Sequence, residues 1–481
     1  MTHLNTLSNI VLFTRGTKGD LYPFLRLGSG FKDRGCEVTL ISNYCYENYA
    51  RQEQFEFAAL DDKESFEMLN NTPELHLSLS SKLKLSKEHM AANLEREVNI
   101  IGSKLELPGN SVLVAHSNDY LAPMLASEKF GVPLYLCMLA PSYVHGFTLF
   151  EALCVTLAAD LNEIRARLGL HPVHDWKRWL RNFKQCFAVW PTWFSGDAQK
   201  ILPDLACIGF LSIDTVEREP LQEEIREFIN ENTQTILITH GTSRPFNDEY
   251  FNLAINACRQ LDCQLIVSTP FRTLLPDQLP ENVIWVKFCS FHELLPVIDL
   301  IIHHGGIGTT REAIANSVPQ LIIGQGFDRQ HNGRIVKQLG LGDWLMPTEL
   351  TGDVFRRRIN SLLSPDAAPS TSDPRKFLLY DQDALNRFYD IITSSTQVRG
   401  DLNLSGLVND LSKTFDDNQI LMTKPVSLNE SVTNQKQSDV EDVLDASNQV
   451  HNRYQLLQKM LKNRVKADRA SNGDFGHGGC N

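Results

Sequence analysis

The stretch "NIVLFTRGTKGDLYPFLRLGSGFKDRGCEVTLISN", residues 9–43, decides the fold class of this chain. It opens with the β-rich apolar run IVLF, passes through the glycine-punctuated turn TRGTKGD, and closes with a second apolar run, EVTLIS. Between the turn and the second run, apolar residues recur at helical spacing: Leu21, Phe24, Leu25, Leu27 and Phe31. The order strand, helix, strand predicts a βαβ unit, and therefore a parallel sheet with right-handed crossovers.

The same order recurs at residues 111–139 and restarts at residue 235 with "TILITHGTS". Two serial blocks of this kind predict an α/β protein with two doubly wound Rossmann-like domains that face each other across a cleft. We place the domains at 1–215 and 225–398, with a charged linker at 216–224, and leave open whether the last helices pack back on the first domain. Residues 399–481 form a polar tail, with a helix predicted at 439–469.

The net charge, the cysteine pattern and the length of the apolar stretches exclude several classes of function. The 481 residues carry a net charge of -12, which argues against a nucleic-acid partner. The ten cysteines are scattered and form no C-x-x-C pair, so we expect buried thiols in a reducing compartment. The longest apolar stretch, 133–159, is interrupted by Pro141, His145 and Glu151 and is too short for a membrane span. A cytoplasmic location is therefore expected.

The second block contains a glycine-rich corner, "IIHHGGIGTTREAI" at residues 301–314. A strand that ends in two histidines is followed by Gly305, Gly306 and Gly308 and then by a helix predicted to start near Thr309. Bare backbone amides at the positive end of a helix are typical of a phosphate site. The alternative is that the glycines only make a tight turn between strand and helix. Along the strand His304 points to the site, whereas His303 points to the opposite face and is expected to be structural.

The block from 303 to 332, which also contains Glu312 and "FDRQHN" (327–332), resembles the donor-binding signature of family 1 GT-B glycosyltransferases, the UDP-glycosyltransferase superfamily. It is most similar to the sterol glucosyltransferase and rhamnolipid rhamnosyltransferase type. "RGTKGDLYPFL" (15–25), "ITHGTS" (238–243) and "WVKFCSFHELLPVID" (285–299) resemble other loops of that family. The resemblance implies these donor-binding residues: Gly19, Gly241, Thr242, Ser243, Ser290, Phe291, His304, Gly305, Gly306, Gly308, Thr309, Glu312, Asp328 and Arg329.

By the same resemblance His304 and the following amides hold the donor diphosphate, Glu312 the ribose hydroxyls, and Asp328 the sugar hydroxyls. The chain departs from the family at Arg329, where many relatives have the glutamine of a DQ-x-x-N motif, so the sugar is not specified. It departs again at His116, where many relatives carry an aspartate that orients a catalytic histidine.

Asp20 and His116 are the predicted catalytic residues. Asp20 follows the first strand, and its carboxylate can take the proton of an attacking hydroxyl. An aspartate at this place can equally cap the helix predicted to begin at Leu21. His116 can pair with Asp20 or hydrogen-bond a buried carbonyl, and both readings stay open.

The resemblance implies an inverting hexosyltransferase that uses a UDP- or dTDP-linked sugar as co-substrate, with no cofactor and no metal. The predicted acceptor is apolar and hydroxylated: a sterol, lipid, hydroxy fatty acid or secondary metabolite. The segment 175–194 contains Trp176, Trp179, Trp190 and Trp193; it can frame that acceptor, rest on a membrane surface or pack in the core. The alternatives for function are a sugar-nucleotide epimerase of the same fold and a non-catalytic partner protein.

Overall fold

The computed structural model describes residues 7–70, 87–105, 110–211, 220–241, 245, 249–324, 326–364 and 383–397. The predicted tail at 399–481, with its helix, and the donor-loop residues Thr242 and Ser243 lie outside these ranges. Both sheets of the protein belong to one compact unit, Met1–Met68 with Lys87–Gly400.

Thirteen strands are described. The first sheet contains β1 (Asn9–Phe13), β2 (Glu37–Ser42), β3 (Glu56–Ala59), β4 (Ser111–His116), β5 (Leu134–Met138), β6 (Gln185–Ala188) and β7 (Ala206–Cys207). The second contains β8 (Thr235–Thr239), β9 (Gln264–Ser268), β10 (Val283–Val286), β11 (Leu300–His303), β12 (Gln320–Ile323) and β13 (Gly342–Leu345). Every strand pair is parallel. Both predicted βαβ blocks are therefore confirmed.

The strand orders locate the ligand sites. The first sheet runs β3-β2-β1-β4-β5-β6-β7 and the second β10-β9-β8-β11-β12-β13, so each begins with the doubly wound order 3-2-1-4. The strand order reverses between β1 and β4 in the first sheet, and between β8 and β11 in the second. In such sheets ligands bind outside the carboxyl ends of the strands at this reversal. Asp20 and His116 lie at the first reversal, and Gly241 and His304 at the second.

The helices connect the strands. They are α1 (Lys18–Lys32), α2 (Glu47–Gln52), α3 (Lys63–Asn70), α4 (Lys87–Ser103), α5 (Leu121–Phe130), α6 (Tyr143–Thr156), α7 (Ala158–Arg167), α8 (Trp176–Leu180), α9 (Ala198–Ile201), α10 (Glu223–Phe228), α11 (Tyr250–Leu261), α12 (Phe291–Leu294), α13 (Ile307–Ala315), α14 (Phe327–Gln338), α15 (Gly352–Leu363) and α16 (Ala384–Gln397). Helix α1 begins at Lys18 rather than at the predicted Leu21. Helix α13 begins at Ile307, close to the predicted Thr309.

Each sheet packs on its own apolar core. Phe24 and Leu25 of α1 and Leu12 of β1 belong to the first core, and Ile236, Phe251 and Phe355 to the second. The C-terminal helix α16 returns to the first sheet, where the Phe388 ring lies 4.2 Å from that of Phe187. The Arg387 Nε donates to the carbonyl of Ile208 at 2.8 Å.

The tryptophan-rich segment is part of the core. Trp176, Trp179 and Trp190 are at most 9% exposed, so three of its four indoles cannot form a membrane-facing surface. Helix α8 ends at Leu180, so only Trp176 and Trp179 of the four tryptophans share a helix. All cysteines within the described ranges are free thiols. Of the helices in those ranges, none combines the length and the apolar character that crossing a bilayer requires.

Candidate functional site

Asp20 and His116 lie together at the reversal of the first sheet. Asp20 is the third residue of α1, and His116 is the last residue of β4. The His116 Nε2 lies 4.0 Å from the Asp20 Oδ1, with the imidazole buried and the carboxylate partly exposed. The structure therefore brings the predicted catalytic pair together.

The other carboxylate oxygen of Asp20 closes the start of α1. The Thr17 backbone N–H donates to Asp20 Oδ2 at 2.8 Å, and the Thr17 hydroxyl donates to the same oxygen at 3.0 Å. This is the reciprocal bond of a capping box. Capping uses Oδ2 and leaves Oδ1 facing His116, so the capping role and a catalytic role are compatible.

Side chains from elsewhere in the first sheet hold the loop that carries Asp20. The Gly16 N–H donates to the Asn43 Oδ1 at 3.0 Å, and the Tyr46 hydroxyl donates to the Gly16 carbonyl at 2.9 Å. The Arg15 guanidinium pairs with Glu97, and its Nε lies 3.4 Å from the Asp119 Oδ2. These acidic partners raise the pKa of Arg15 against the opposing effect of its burial. These contacts fix the loop within the first half of the chain.

The second reversal carries the glycine-rich corner. Gly305 has a φ of +88°, and a Cβ built on it would lie 2.7 Å from the Arg329 carbonyl oxygen. The Asn332 amide donates to the Gly305 carbonyl at 3.0 Å and fixes the corner from α14. Gly306 is the N-cap of α13, and the hydroxyl of Thr310 donates to its carbonyl at 3.0 Å. The first backbone amides of α13 therefore point out of the helix at the sheet edge, as anion binding requires.

The two histidines before the corner differ as predicted. His303 is fully buried; its Nε2 lies 3.0 Å from the Gln320 Oε1, and its Nδ1 accepts from the Gly305 N–H at 3.1 Å. Burial lowers the pKa of His303 to about 4, so the imidazole is neutral at physiological pH. His303 is a structural residue that shapes the corner.

His304 occupies the space that the neighbouring glycines leave open. A Cβ on Gly241 would lie 2.9 Å from the ring of His304, and one on Gly306 would lie 2.6 Å from its Nε2. Burial, with the nearby charge of Arg329, lowers the pKa of His304 well below its usual value. Within the described ranges its Nδ1 has no hydrogen-bond partner. A neutral imidazole of this kind can offer one N–H to a diphosphate oxygen.

Glu312 is buried on α13, where its carboxylate pairs with the guanidinium of the adjacent Arg311. A carboxylate that is paired with a guanidinium is a hydrogen-bond acceptor. Such a group can accept from vicinal hydroxyls, which is the role implied by the resemblance.

The first turn of α14 brings Asp328 and Arg329 to the edge of the second sheet. Burial raises the pKa of Asp328, the charge of Arg329 opposes that shift, and the negative charge of Asp20 adds to it. The charge of Asp20, from the first half of the chain, thus acts on Asp328, from the second. The two halves also meet beside these residues, since the ring centroids of His145 on α6 and His331 on α14 lie 6.3 Å apart.

Three other residues border this site and were missed by the sequence analysis. Tyr143, the first residue of α6, packs against His116 with ring centroids 5.7 Å apart. The ammonium of Lys18, the first residue of α1, lies 5.8 Å from the ring centroid of Phe288, which follows β10 and is 41% exposed. No spacing rule could have found these residues, because their proximity depends on how the two sheets face each other.

The remaining predicted donor residues are placed as follows. Gly19 is exposed in the first turn of α1, Gly308 and Thr309 are partly buried in the first turn of α13, and Ser290 is the buried N-cap of α12. Phe291 packs against an apolar cluster under the second sheet, so the exposed ring of this segment is Phe288. In the part of the chain that the structure describes, no group of three or more His, Cys, Asp or Glu side chains could hold a metal ion.

Two parallel sheets, each with its polar or glycine-rich residues at the reversal of strand order, define the GT-B class. Comparison with known proteins agrees. The family "Glycosyltransferase family 28 N-terminal domain" matches residues 10–145. The family "Erythromycin biosynthesis protein CIII-like, C-terminal domain" matches residues 252–373. The chain is thus similar to the GT-B glycosyltransferases in both halves and shares their fold.

Individual relatives share shorter or more divergent stretches. Demethyllactenocin mycarosyltransferase of Streptomyces fradiae is 35% identical over 88 residues, which is 18% of this chain and 19% of the relative. Sterol 3-beta-glucosyltransferase UGT80B1 of Arabidopsis thaliana is 21% identical over 406 residues, which is 77% of this chain and 65% of the relative. The chain thus matches about a fifth of the first relative and just under two thirds of the second.

Solved structures show the same fold. The glycotransferase of kitacinnamycin has a TM-score of 0.63 at 14% identity, with 81% of this chain and 99% of that chain covered. The glycosyltransferase VinC in complex with dTDP has a TM-score of 0.56 at 17% identity, with 81% and 100% covered. At this level of identity the comparison establishes the fold alone.

Proposed function

We propose that this protein transfers a sugar from a nucleoside-diphosphate sugar to a hydroxyl group of a largely apolar acceptor. The nucleotide is UDP or dTDP, and the sugar is a hexose in plain or deoxy form. The acceptor is a sterol or a hydroxylated secondary metabolite, the classes that the names of the relatives suggest. The observation that carries the proposal is the Asp20–His116 pair at the reversal of the first sheet, together with the glycine-rich corner and His304 at the reversal of the second.

In this mechanism the acceptor hydroxyl donates to Asp20, which takes its proton as the oxygen attacks the anomeric carbon. Attack from the side opposite the leaving diphosphate inverts the anomeric centre. The imidazole of His116 borders this carboxylate, with its Nε2 4.0 Å from the Asp20 Oδ1. Asp328 holds the sugar hydroxyls so that the anomeric carbon faces Asp20.

The leaving diphosphate gains negative charge as the glycosidic bond breaks. The amides at the start of α13 and the imidazole of His304 lie where that charge would develop, and they are already oriented by Gly305 and Asn332. Preorganised donors of this kind stabilise a developing anion without rearrangement. The proposed reaction therefore proceeds without a metal ion. We place it in the cytoplasm, since buried free thiols such as Cys137 and Cys186 suit a reducing compartment.

A thermal-shift panel of UDP, dTDP and their sugar conjugates tests the proposal, each with and without EDTA. A ligand at 100 times its dissociation constant stabilises the folded protein by about 2.7 kcal/mol. We expect one nucleotide series to raise the melting temperature equally in both conditions. A flat response to every nucleotide would contradict the proposal, and a response abolished by EDTA would contradict its metal independence. Conversion of the sugar nucleotide alone into an isomer would favour an epimerase.

A further inference from the structure

Tyr143 occupies the point where the two sheets meet. It follows β5 and starts α6 on the first sheet, and its ring centroid lies 5.7 Å from that of His116. Two residues further along α6, the ring centroid of His145 lies 6.3 Å from that of His331, which is in the first turns of α14. The start of α6, with Tyr143, therefore lies close to the start of α14, with Asp328 and Arg329.

The phenol remains a hydrogen-bond donor in this surrounding. Burial, together with the negative charges of Asp20 and Asp328, raises the pKa of Tyr143 well above its usual value. A carboxylate can only accept a hydrogen bond, and the phenolic O–H supplies a neutral donor beside two of them. A hydroxyl group bound there could donate to Asp328 and accept from Tyr143 at the same time.

Two hydroxyl groups meet at this point in the proposed reaction, one from the acceptor and one from the sugar. The acceptor oxygen must direct a lone pair at the anomeric carbon while Asp20 takes its proton. A phenol that donated to that oxygen would withdraw electron density from the attacking lone pair. A hydrogen bond to the sugar carries no such cost, and the proposed sugar-binding residues Asp328 and Arg329 begin the helix that α6 approaches.

We propose that Tyr143 is a positioning residue for the donor sugar, although it belongs to the half of the chain that binds the acceptor. Its phenolic O–H donates a hydrogen bond to the sugar hydroxyl that Asp328 binds. This inference rests on the proposed function. The sugar would then be bound by residues from both halves of the chain. The affinity for the sugar nucleotide should therefore depend on Tyr143, whereas the affinity for the nucleotide alone should not.

The test compares affinities without any acceptor present. Dissociation constants are measured by calorimetry for UDP, UDP-glucose, dTDP and dTDP-glucose with the wild type, Tyr143→Phe and Tyr389→Phe. Phenylalanine keeps the ring packing on His116 and removes only the O–H. Tyr389 lies on α16 beside Phe31 and Arg34, so its variant controls for the loss of a hydroxyl elsewhere.

Loss of one neutral hydrogen bond corresponds to about 2- to 10-fold in affinity. In Tyr143→Phe we expect the sugar nucleotide to bind weaker by that factor, with the affinity for the bare nucleoside diphosphate unchanged, and Tyr389→Phe to match the wild type. If the wild type binds nucleotide but the ratio of the two affinities is the same in Tyr143→Phe, the inference is overturned and the proposed function stands. If the wild type binds neither nucleotide series, the proposed function fails, and this inference with it.

Discussion

The loop at residues 15–20 and the corner at residues 303–308 occupy the same place in their two sheets but are held in different ways. Side chains distant in sequence, among them Asn43, Tyr46 and Glu97, hold the first loop. The corner is held by close backbone approach, since a Cβ on Gly305 would lie 2.7 Å from a carbonyl oxygen. The first arrangement can be rebuilt with other side chains, whereas the second permits only glycine. The donor-binding corner is therefore easier to predict from the sequence than the loop that carries Asp20.

The largest effect should come from Asp20→Asn, which removes the base and keeps an oxygen that can accept from the Thr17 N–H. We expect the transfer rate to fall by a factor of about 100 to 10,000, the usual contribution of a general base. Nucleotide affinity should not change, because the corner is untouched. Initial rates and nucleotide titrations measure the two quantities.

Asp33→Asn is the matched control, since Asp33 is exposed at the other end of α1. It should leave both quantities at wild-type values. Near-normal turnover of Asp20→Asn would show that Asp20 only caps its helix.

The substitution Gly305→Ala should destabilise the glycine-rich corner. Alanine would have to adopt the left-handed φ of +88°, and its Cβ would clash with the carbonyl oxygen of Arg329. We expect these two costs to lower the free energy of unfolding by about 2–4 kcal/mol. Gly35→Ala is the matched control: Gly35 has a φ of +84°, and among the described residues no atom would lie within 4 Å of its Cβ. That variant should lose about 1–2 kcal/mol from the backbone alone. Equal losses in urea unfolding would refute the close-packing account.

The buried His303 should make the stability of the corner depend on pH. Its pKa is lowered from 6.5 to about 4 by burial, so between these values the unfolded chain binds a proton that the folded protein does not. Stability should therefore fall as the pH drops from about 6.5 to about 4, by about 3 kcal/mol from this group. In His303→Asn this part of the pH dependence should vanish. Parallel stability curves for the two proteins would contradict the expectation.

The smallest effect should come from Arg329→Gln, which restores the residue that many relatives have. The charge of Arg329 keeps the pKa of the buried Asp328 from rising further. Without it, Asp328 should be protonated at higher pH, and the KM for the sugar nucleotide should rise by about threefold on acidification, as for a charge interaction of under 1 kcal/mol. A pH profile of KM that matches the wild type would show that Arg329 does not act on Asp328.

Much of the fold follows from local pattern. Apolar runs such as IVLF and LIIH predict strands, and Asp20 and His304 could be predicted as site residues because each closely follows a strand that ends at the reversal. Boundaries were less certain: α1 starts three residues early because Thr17 and Asp20 close its first turn. Tyr143 and Phe288 were not predicted, since their position at the site depends on how the sheets face each other.

The central claim is that the cleft transfers a sugar to an acceptor hydroxyl. The most direct test incubates the wild type with a sugar nucleotide that stabilises it, in the presence and absence of hydroxylated sterols and macrolides. Nucleoside diphosphate release and product mass are measured together. The account predicts release that requires an acceptor and matches, mole for mole, an acceptor one sugar heavier. Release without any acceptor dependence, or a sugar nucleotide that is only isomerised, would contradict it.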